Sequence, residues 1–252
     1  MTTIRKESTD EQSRTARTRI LLGELGCEEL KQAHLLVVGV GGVGGTAVEL
    51  LARSGVGAFT LVDADTVDPS NINRQAVAFC STVGKNKVDV MEKMILDINP
   101  NAIVHKQFLF VSPDNVCELF DTTSTPFSMV IDAIDTLTPK CALIQETLKR
   151  GIPLISSMGA GAKTDPEAVH IAPIHKTHTC GLAKAVRQHL RSVGCREPFP
   201  CVFSTQLAIE AAILPQSDKG GKKSVVGTIS YMSQLFGLRI AAYVIKTLTQ
   251  SL

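Results

Sequence analysis

The chain has 252 residues, 44% hydrophobic and 20% charged, with 26 Lys and Arg against 24 Asp and Glu for a net charge of +2. A chain of this size and apolarity closes a core that buries roughly three quarters of its unfolded surface, which excludes a disordered or low-complexity polymer. The near-balance of charge excludes a uniformly basic nucleic-acid coat and leaves room only for a local basic patch.

Residues 1–19 are polar and Arg-rich and lack the apolar run of a secretory signal. RILLGELGCEELKQ (19–32) reads as a short amphipathic helix. HLLVVGVGGVGG (34–45) is a buried strand breaking into a glycine turn. Val43 to Ser54 continues as a helix, with Val43, Ala47, Leu50 and Leu51 on one face. AFTLVD (58–63) is a second strand, followed by the polar loop DADTVDPSNINRQ. Residues 85–98 form a helix closed by Asn99-Pro100. IVHKQFLF (103–110) and SMVIDAID (128–135) are the third and fourth strands. Pro139 to Arg150 is a helix ended by Gly151, and IPLISS (152–157) is the fifth strand. Gly194, Pro198 and Pro200 mark residues 189–203 as a crossover loop. The Lys- and Gly-rich stretch at 215–226 reads as a second mobile loop, and Ser230 to Leu248 as a final apolar helix.

Strands alternating with helices give an α/β chain, a Rossmann-like, doubly wound and mostly parallel sheet, with a C-terminal extension completing it. The expected division of this single domain is an N-terminal arm and helix (1–34), a nucleotide-binding core (35–157) and a substrate portion (158–252). No apolar stretch reaches the ~20 residues of a membrane span. The seven cysteines are an odd number and none forms Cys-x-x-Cys, which speaks against a disulfide framework and paired zinc knuckles. The expectation is a cytoplasmic enzyme in a reducing compartment, with no membrane partner.

Ligands of such sheets bind beyond the strand carboxyl ends, and the polar residues of this sequence collect there. Gly39, Gly41 and Gly44, with Gly42 between them, make Gly-x-Gly-x-x-Gly between a strand and a helix, where backbone N–H groups can approach phosphate. Asp63 ends the next strand and can accept from ribose hydroxyls. Alone this is a dinucleotide fingerprint that suggests NAD. The residues that follow suit a triphosphate instead: Asp65, Asn71, Arg74 and Gln75 after the second strand, Lys85 and Lys87 at the next helix, Asp132 and Asp135 after the fourth. Arg and Lys neutralise phosphate oxygens, and a strand-end carboxylate can hold Mg²⁺.

The stretches GVGGVGG (39–45), LVDADTVDPSNINRQ (61–75), VGKNK (83–87) and VIDAIDT (130–136) resemble the ubiquitin-activating-like (ThiF/MoeB/HesA) adenylating family. The resemblance implies an ATP site in which Asp63 binds ribose, Arg74 and Lys87 bind phosphates with Asn71 beside them, and Asp132 holds Mg²⁺. It also implies a homodimer in which an N-terminal Arg, matched by Arg14 and Arg17, reaches the partner's ATP. From about residue 13 to 248, SSMGAGAKTDP, PCVFSTQ, LPQSD and GTISYMSQLFGL resemble the tRNA threonylcarbamoyladenosine dehydratases. Their chemistry is activation of a carboxylate on the modified tRNA by ATP, followed by cyclisation with loss of AMP. The partners implied are tRNA, a second copy of the chain and, in some members, a sulfur-transfer protein.

Two departures stand out. His178-Thr179-Cys180-Gly181 lies where the family has Asp-Pro before Leu-Ala, and Gln206 lies where Glu is expected. Three further readings stay open: an adenylyltransferase for a ubiquitin-like sulfur carrier, an NAD-linked oxidoreductase, and a scaffold with an empty site. Cys201 is a candidate nucleophile or inert core thiol. His175, His178 and Cys180 fit no common zinc pattern. Lys184, Arg187 and Arg191 form a basic helix stripe, and Lys219, Lys222 and Lys223 a basic loop, either of which could rest on tRNA phosphates.

Overall fold

Strand β1 (His34–Val38) is buried along its whole length. Its side chains divide by the period of two that a strand imposes: Leu35 and Val37 join one apolar cluster, Leu36 and Val38 another. A sheet covered on both faces follows. The computed structural model, which describes residues 9–121, 123, 125–215 and 224–249, places β1 in a seven-stranded sheet. With β2 (Ala58–Val62), β3 (Ile103–Gln107), β4 (Met129–Asp132), β5 (Leu154–Ser157), β6 (Val169–Pro173) and β7 (Pro200–Ser204), the spatial order is β3-β2-β1-β4-β5-β7-β6. All neighbours are parallel except β6, which runs antiparallel to β7.

Helix α1 (Thr9–Gln32) is broken at Gly23, whose φ of 72° and ψ of 177° are not helical. It is therefore two helical pieces, and the amphipathic helix expected over 19–32 is interrupted at Gly23. On one face of the sheet lie α2 (Gly44–Arg53), α3 (Lys87–Ile98) and α6 (Ser230–Leu248), packed through Ala47, Leu51, Met91, Ile95, Phe236 and Ile240. On the other lie α4 (Leu137–Lys149) and α5 (Gly181–Ser192), packed through Leu143, Ile144, Val186 and Leu190. Burying each such side chain contributes ~1.5–3 kcal/mol.

The chain order reverses between β1 and β4, where β1 pairs with β2 on one side and β4 on the other. That reversal opens a crevice at the strand carboxyl ends. One expectation is corrected. The crossover loop of 189–203 is much shorter, because α5 runs to Ser192 and β7 starts at Pro200; a proline is tolerated as the first residue of a strand. Strand β6 is an added element, beyond those expected from the sequence. The loop placed at 215–226 falls partly on residues 216–223, outside the described residues. Its described flanks, β8 (Ile213–Pro215) and β9 (Ser224–Val226), pair antiparallel.

Candidate functional site

The turn after β1 is shaped by close contact. Gly39 has φ +93°, and a Cβ there would lie 2.8 Å from the Ala133 carbonyl oxygen; a Cβ on Gly44 would lie 1.9 Å from the Gly39 oxygen. Only glycine fits either position. Gly42 backs onto Ser233 and Arg74, while Gly41 faces the Gln75 amide. Helix α2 then starts with no side chain capping it, so its first N–H groups and its dipole face the crevice.

Asp63 stands at the end of β2. Its Oδ2 accepts from the Val40 N–H at 2.6 Å and its Oδ1 from the Asp65 N–H at 2.8 Å. The carboxylate thus braces the glycine turn while remaining half-exposed. Burial pushes its pKa above the ordinary carboxylate value, and the nearby Lys87 charge and the two backbone donors pull it back. Lys87, the first residue of α3, is 4% exposed and donates to Asp65 Oδ2 at 2.7 Å. Asp65 itself is exposed.

Asn71 is buried, but its Oδ1 accepts from the Asp68 N–H at 3.2 Å, so its role is to cap the 3-10 turn Pro69–Asn71 in exchange for Asp68 accepting from Ser70. Arg74 is half-buried and its Nη1 donates to the Ser70 carbonyl at 3.0 Å and Asn73 Oδ1 at 2.9 Å. Gln75 is 8% exposed and its Oε1 is buried without a partner. Its amide packs against Gly41 on the flank of the glycine turn. The glycine turn, Asp63, Arg74, Gln75 and Lys87 therefore form one crevice suited to a nucleotide. Asp135 lies exposed on the turn after β4.

Asp132 departs from its expected role. It is 0% exposed. Its Oδ2 accepts from Lys140 Nζ at 2.7 Å and Ser156 Oγ at 2.6 Å, and its Oδ1 from the Ile134 N–H at 3.1 Å. Both oxygens are engaged and neither is open to solvent, so the residue as placed does not fit a divalent ion. Among the described residues, no three His, Cys, Asp or Glu side chains gather as a metal donor set. Lys140 and Ser156 escaped the sequence reading. A signal existed: Lys140 shares the stripe of Leu143, Ile144 and Thr147, the buried face of α4.

Arg14 and Arg17 are exposed on α1. Arg14 lines a cleft of about 170 Å³ with Arg19, Lys31, Arg53 and Gly57. Gly57 precedes β2, so this cleft lies at the amino edge of the sheet, and Arg14 is not brought to the nucleotide crevice of its own chain.

The C-terminal half carries the remaining sequence-predicted residues. Gln206 Oε1 accepts from the Thr164 and Asp165 N–H groups, each at 2.9 Å; an amide oxygen serves there as an acceptor where Glu was expected. Lys163, 5% exposed and held below the usual lysine pKa by burial, donates to the Gln206 carbonyl. Cys180 is buried at the start of α5 and gives it no side-chain cap. Cys201 is fully buried and burial pushes its thiol far up, which makes it an inert core thiol and corrects the nucleophile reading. In the basic stripe, Arg187 turns back to donate to Thr177 Oγ1, leaving Lys184 and Arg191 exposed on α5. Lys219, Lys222 and Lys223 lie outside the described residues. No helix among the described residues is long and apolar enough to cross a membrane.

Comparison with known proteins gives the following. The ThiF family model matches residues 13–251. The tRNA threonylcarbamoyladenosine dehydratase of Bacillus subtilis (strain 168) is 47% identical over 194 residues, covering 77% of this chain and 75% of the relative. The enzyme of the same name from Escherichia coli (strain K12) is 42% identical over 208 residues, covering 80% of this chain and 75% of the relative. Among solved structures, the E. coli tRNA N6-threonylcarbamoyladenosine dehydratase in complex with ATP superimposes with a TM-score of 0.87 at 35% identity, covering 96% of both chains. Its complex with AMP gives the same TM-score and covers 98% of both.

Proposed function

We propose that this chain, which belongs to the ThiF family, is an ATP-dependent tRNA threonylcarbamoyladenosine dehydratase acting through an acyl adenylate. The observation that carries the reading is the convergence of Asp63, Arg74, Gln75 and Lys87 on an uncapped glycine turn at the point where the sheet order reverses. An NAD site has no use for two cations beside the phosphate cradle.

The chemistry follows from what these groups can do. N–H groups of the glycine turn and the α2 terminus receive the phosphates. Asp63 accepts from the ribose. The substrate carboxylate is already ionised and attacks the α-phosphorus. An oxygen–phosphorus bond forms, the bond to the β-phosphate's bridging oxygen breaks, and pyrophosphate leaves with the electron pair. Arg74 and Lys87 screen the charge that develops on it. An atom of the same modification then attacks the activated carbonyl carbon, the ring closes, and AMP departs with the former carboxylate oxygen. Holding the reacting atoms in line is the main task, since the second step is intramolecular. ATP enters as its magnesium complex; because Asp132 does not fit the ion, no step is routed through it.

The functional division is an arm (1–34), a nucleotide core (35–157) and a substrate portion (158–252). The active form is a homodimer: Arg14 sits at the edge opposite its own crevice, so it or Arg17 acts on the partner's nucleotide. Lys184 and Arg191 contact tRNA phosphates, which position the substrate while the crevice selects it. The chain works in the cytoplasm, where tRNA is found. A sulfur-transfer protein as a further partner rests on the family resemblance alone.

ATP–pyrophosphate exchange tests the reading. Exchange should require tRNA bearing threonylcarbamoyladenosine, and mass spectrometry of the nucleosides should show the loss of one water. Exchange driven instead by a carrier protein ending in Gly-Gly would replace this function with carrier adenylation.

A further inference from the structure

We infer that Lys140 is the built-in counter-ion of Asp132, and that the pair positions the phosphate-binding turn instead of ligating a divalent ion. The inference rests on the nucleotide reading of the crevice and deepens it.

An ammonium has three donors, and all three of Lys140 are used: Asp132 Oδ2 at 2.7 Å, the Ser157 carbonyl at 2.9 Å and Ser156 Oγ at 3.3 Å. Both Lys140 and Asp132 are 0% exposed. A buried charge without a partner is costly, and a pair this fully bonded is the arrangement in which both charges are tolerated. The pair ties together three elements. Lys140 comes from α4, Asp132 ends β4, and Ser156 pairs with Asp132 across β4 and β5.

The position of the pair gives it its role. Asp132 lies opposite Val38, the last residue before the glycine turn. The next residue, Ala133, donates its N–H to the Val38 carbonyl at 2.9 Å. Its carbonyl would meet a Cβ on Gly39 at 2.8 Å and its own Cβ one on Gly44 at 3.1 Å. Asp132 Oδ1 holds the following N–H, that of Ile134. Ala133, whose carbonyl crowds Gly39 and whose Cβ crowds Gly44, is thus held between its own bond to β1 and the Ile134 bond to this carboxylate. The Lys140 ammonium occupies the position beside Asp132 Oδ2 that a metal held by this carboxylate would need. Lys140 is a positioning residue, since it touches none of the reacting atoms.

Nucleotide binding measured with a fluorescent ATP analogue, in Mg²⁺ and in EDTA, separates positioning from metal ligation. Three variants serve: Asp132→Asn, the charge-neutral pair Asp132→Asn/Lys140→Gln, and Ser156→Ala, which keeps the ion pair. Wild-type binding comes first; its failure would remove the nucleotide reading itself and this inference with it. On our inference Asp132→Asn, which strands the Lys140 charge, weakens nucleotide binding at least tenfold. The neutral pair recovers most of that loss, and Ser156→Ala loses about threefold. In each variant that melts cooperatively, the ratio of affinities in Mg²⁺ and EDTA stays within twofold of wild type. If Asp132→Asn fails to fold, the neutral pair and Ser156→Ala carry the same comparison. A ratio that collapses to one on removal of the carboxylate, with Ser156→Ala unchanged, would make Asp132 a metal ligand and overturn the inference.

Discussion

Between β1 and β5 the site groups sit at the ends of the strands that present them: Gly39 follows Val38, Asp63 follows Val62, and Asp132 closes β4. Beyond Ser157 the same edge is held by bonds between distant residues. Gln206 holds the 164–165 turn, Tyr231 donates to the Thr164 carbonyl at 2.9 Å, and Asn73 reaches the Thr228 carbonyl at 3.1 Å. The difference teaches that the glycine turn is shaped by local contacts that leave little room for substitution. The segment beyond Ser157 is joined by side-chain bonds between residues far apart in sequence, and at Gln206 an amide oxygen fills the acceptor position where Glu is expected.

A matched pair of glycine substitutions probes that contrast most strongly. Gly44→Ala drives a methyl group to 1.9 Å from a backbone oxygen and should cost ~3 kcal/mol or more of stability. Gly181→Ala meets nothing within 4 Å and should stay within ~0.5 kcal/mol; chemical denaturation of both variants checks this. Equal costs would abolish the distinction between the two halves.

The next effect is catalytic. Arg74→Ala should lower kcat/KM for ATP–pyrophosphate exchange by roughly 10²–10³ with little change in Tm, as loss of one transition-state charge contact does. Arg191→Ala should leave exchange at saturating tRNA nearly unchanged, weaken tRNA binding and reduce its salt slope by about one. If the proposed homodimer shares its site across the interface, mixing Arg17→Ala and Arg74→Ala chains should restore part of the exchange activity, since a mixed dimer would contain one intact composite site.

Asp63 gives a pH signature. Burial raises its pKa above the ordinary 3.8, so protonation begins at a higher pH than for a surface carboxylate. ATP affinity should fall as pH drops through that raised value, because the neutral acid is the poorer acceptor for the two backbone N–H groups and the ribose. Stability moves the other way. A raised folded value means the fold binds the proton more tightly than the unfolded chain, so this contribution is full below the unfolded pKa and is lost as pH rises through the folded one. Affinity titrations in wild type and Asp63→Asn check the sign: the slope should vanish in the variant.

The smallest expected effect is a gain. Cys180 leaves α5 uncapped, and Cys180→Ser, which adds a hydroxyl cap without burying a charge at this 6% exposed position, should stabilise the protein by ~0.5 kcal/mol, read as a small rise in Tm with exchange activity retained.

Much of the crevice was legible because its signals are short. A glycine pattern between an apolar run and a helical stripe, then an acid at the next strand end, need no knowledge of the rest of the chain. What escaped needed distant partners. Lys140 reads as an ordinary helix charge until α4 is laid against β4 and β5, when it becomes the one charged member of a buried stripe. Strand β6 alternates Val169 and Ile171 with His170 and Ala172, a usable period of two. Its identity as an antiparallel edge depends on registering Val169 against Ser204. Arg187 reads as one member of a basic helix stripe, because no local feature reveals that Thr177 recruits it.

The Lys87 ammonium is paired with Asp65, a carboxylate whose side chain is 69% exposed. On the proposed nucleotide reading, an arriving phosphate would exchange one ionic partner of Lys87 for another, and Asp65 would be handed to water. The net attraction is a difference between two contacts, which keeps the spent nucleotide from becoming a trap. A cleft with a bare buried cation would grip its product; this one has a resting partner ready to take the lysine back, and so is built for repeated release.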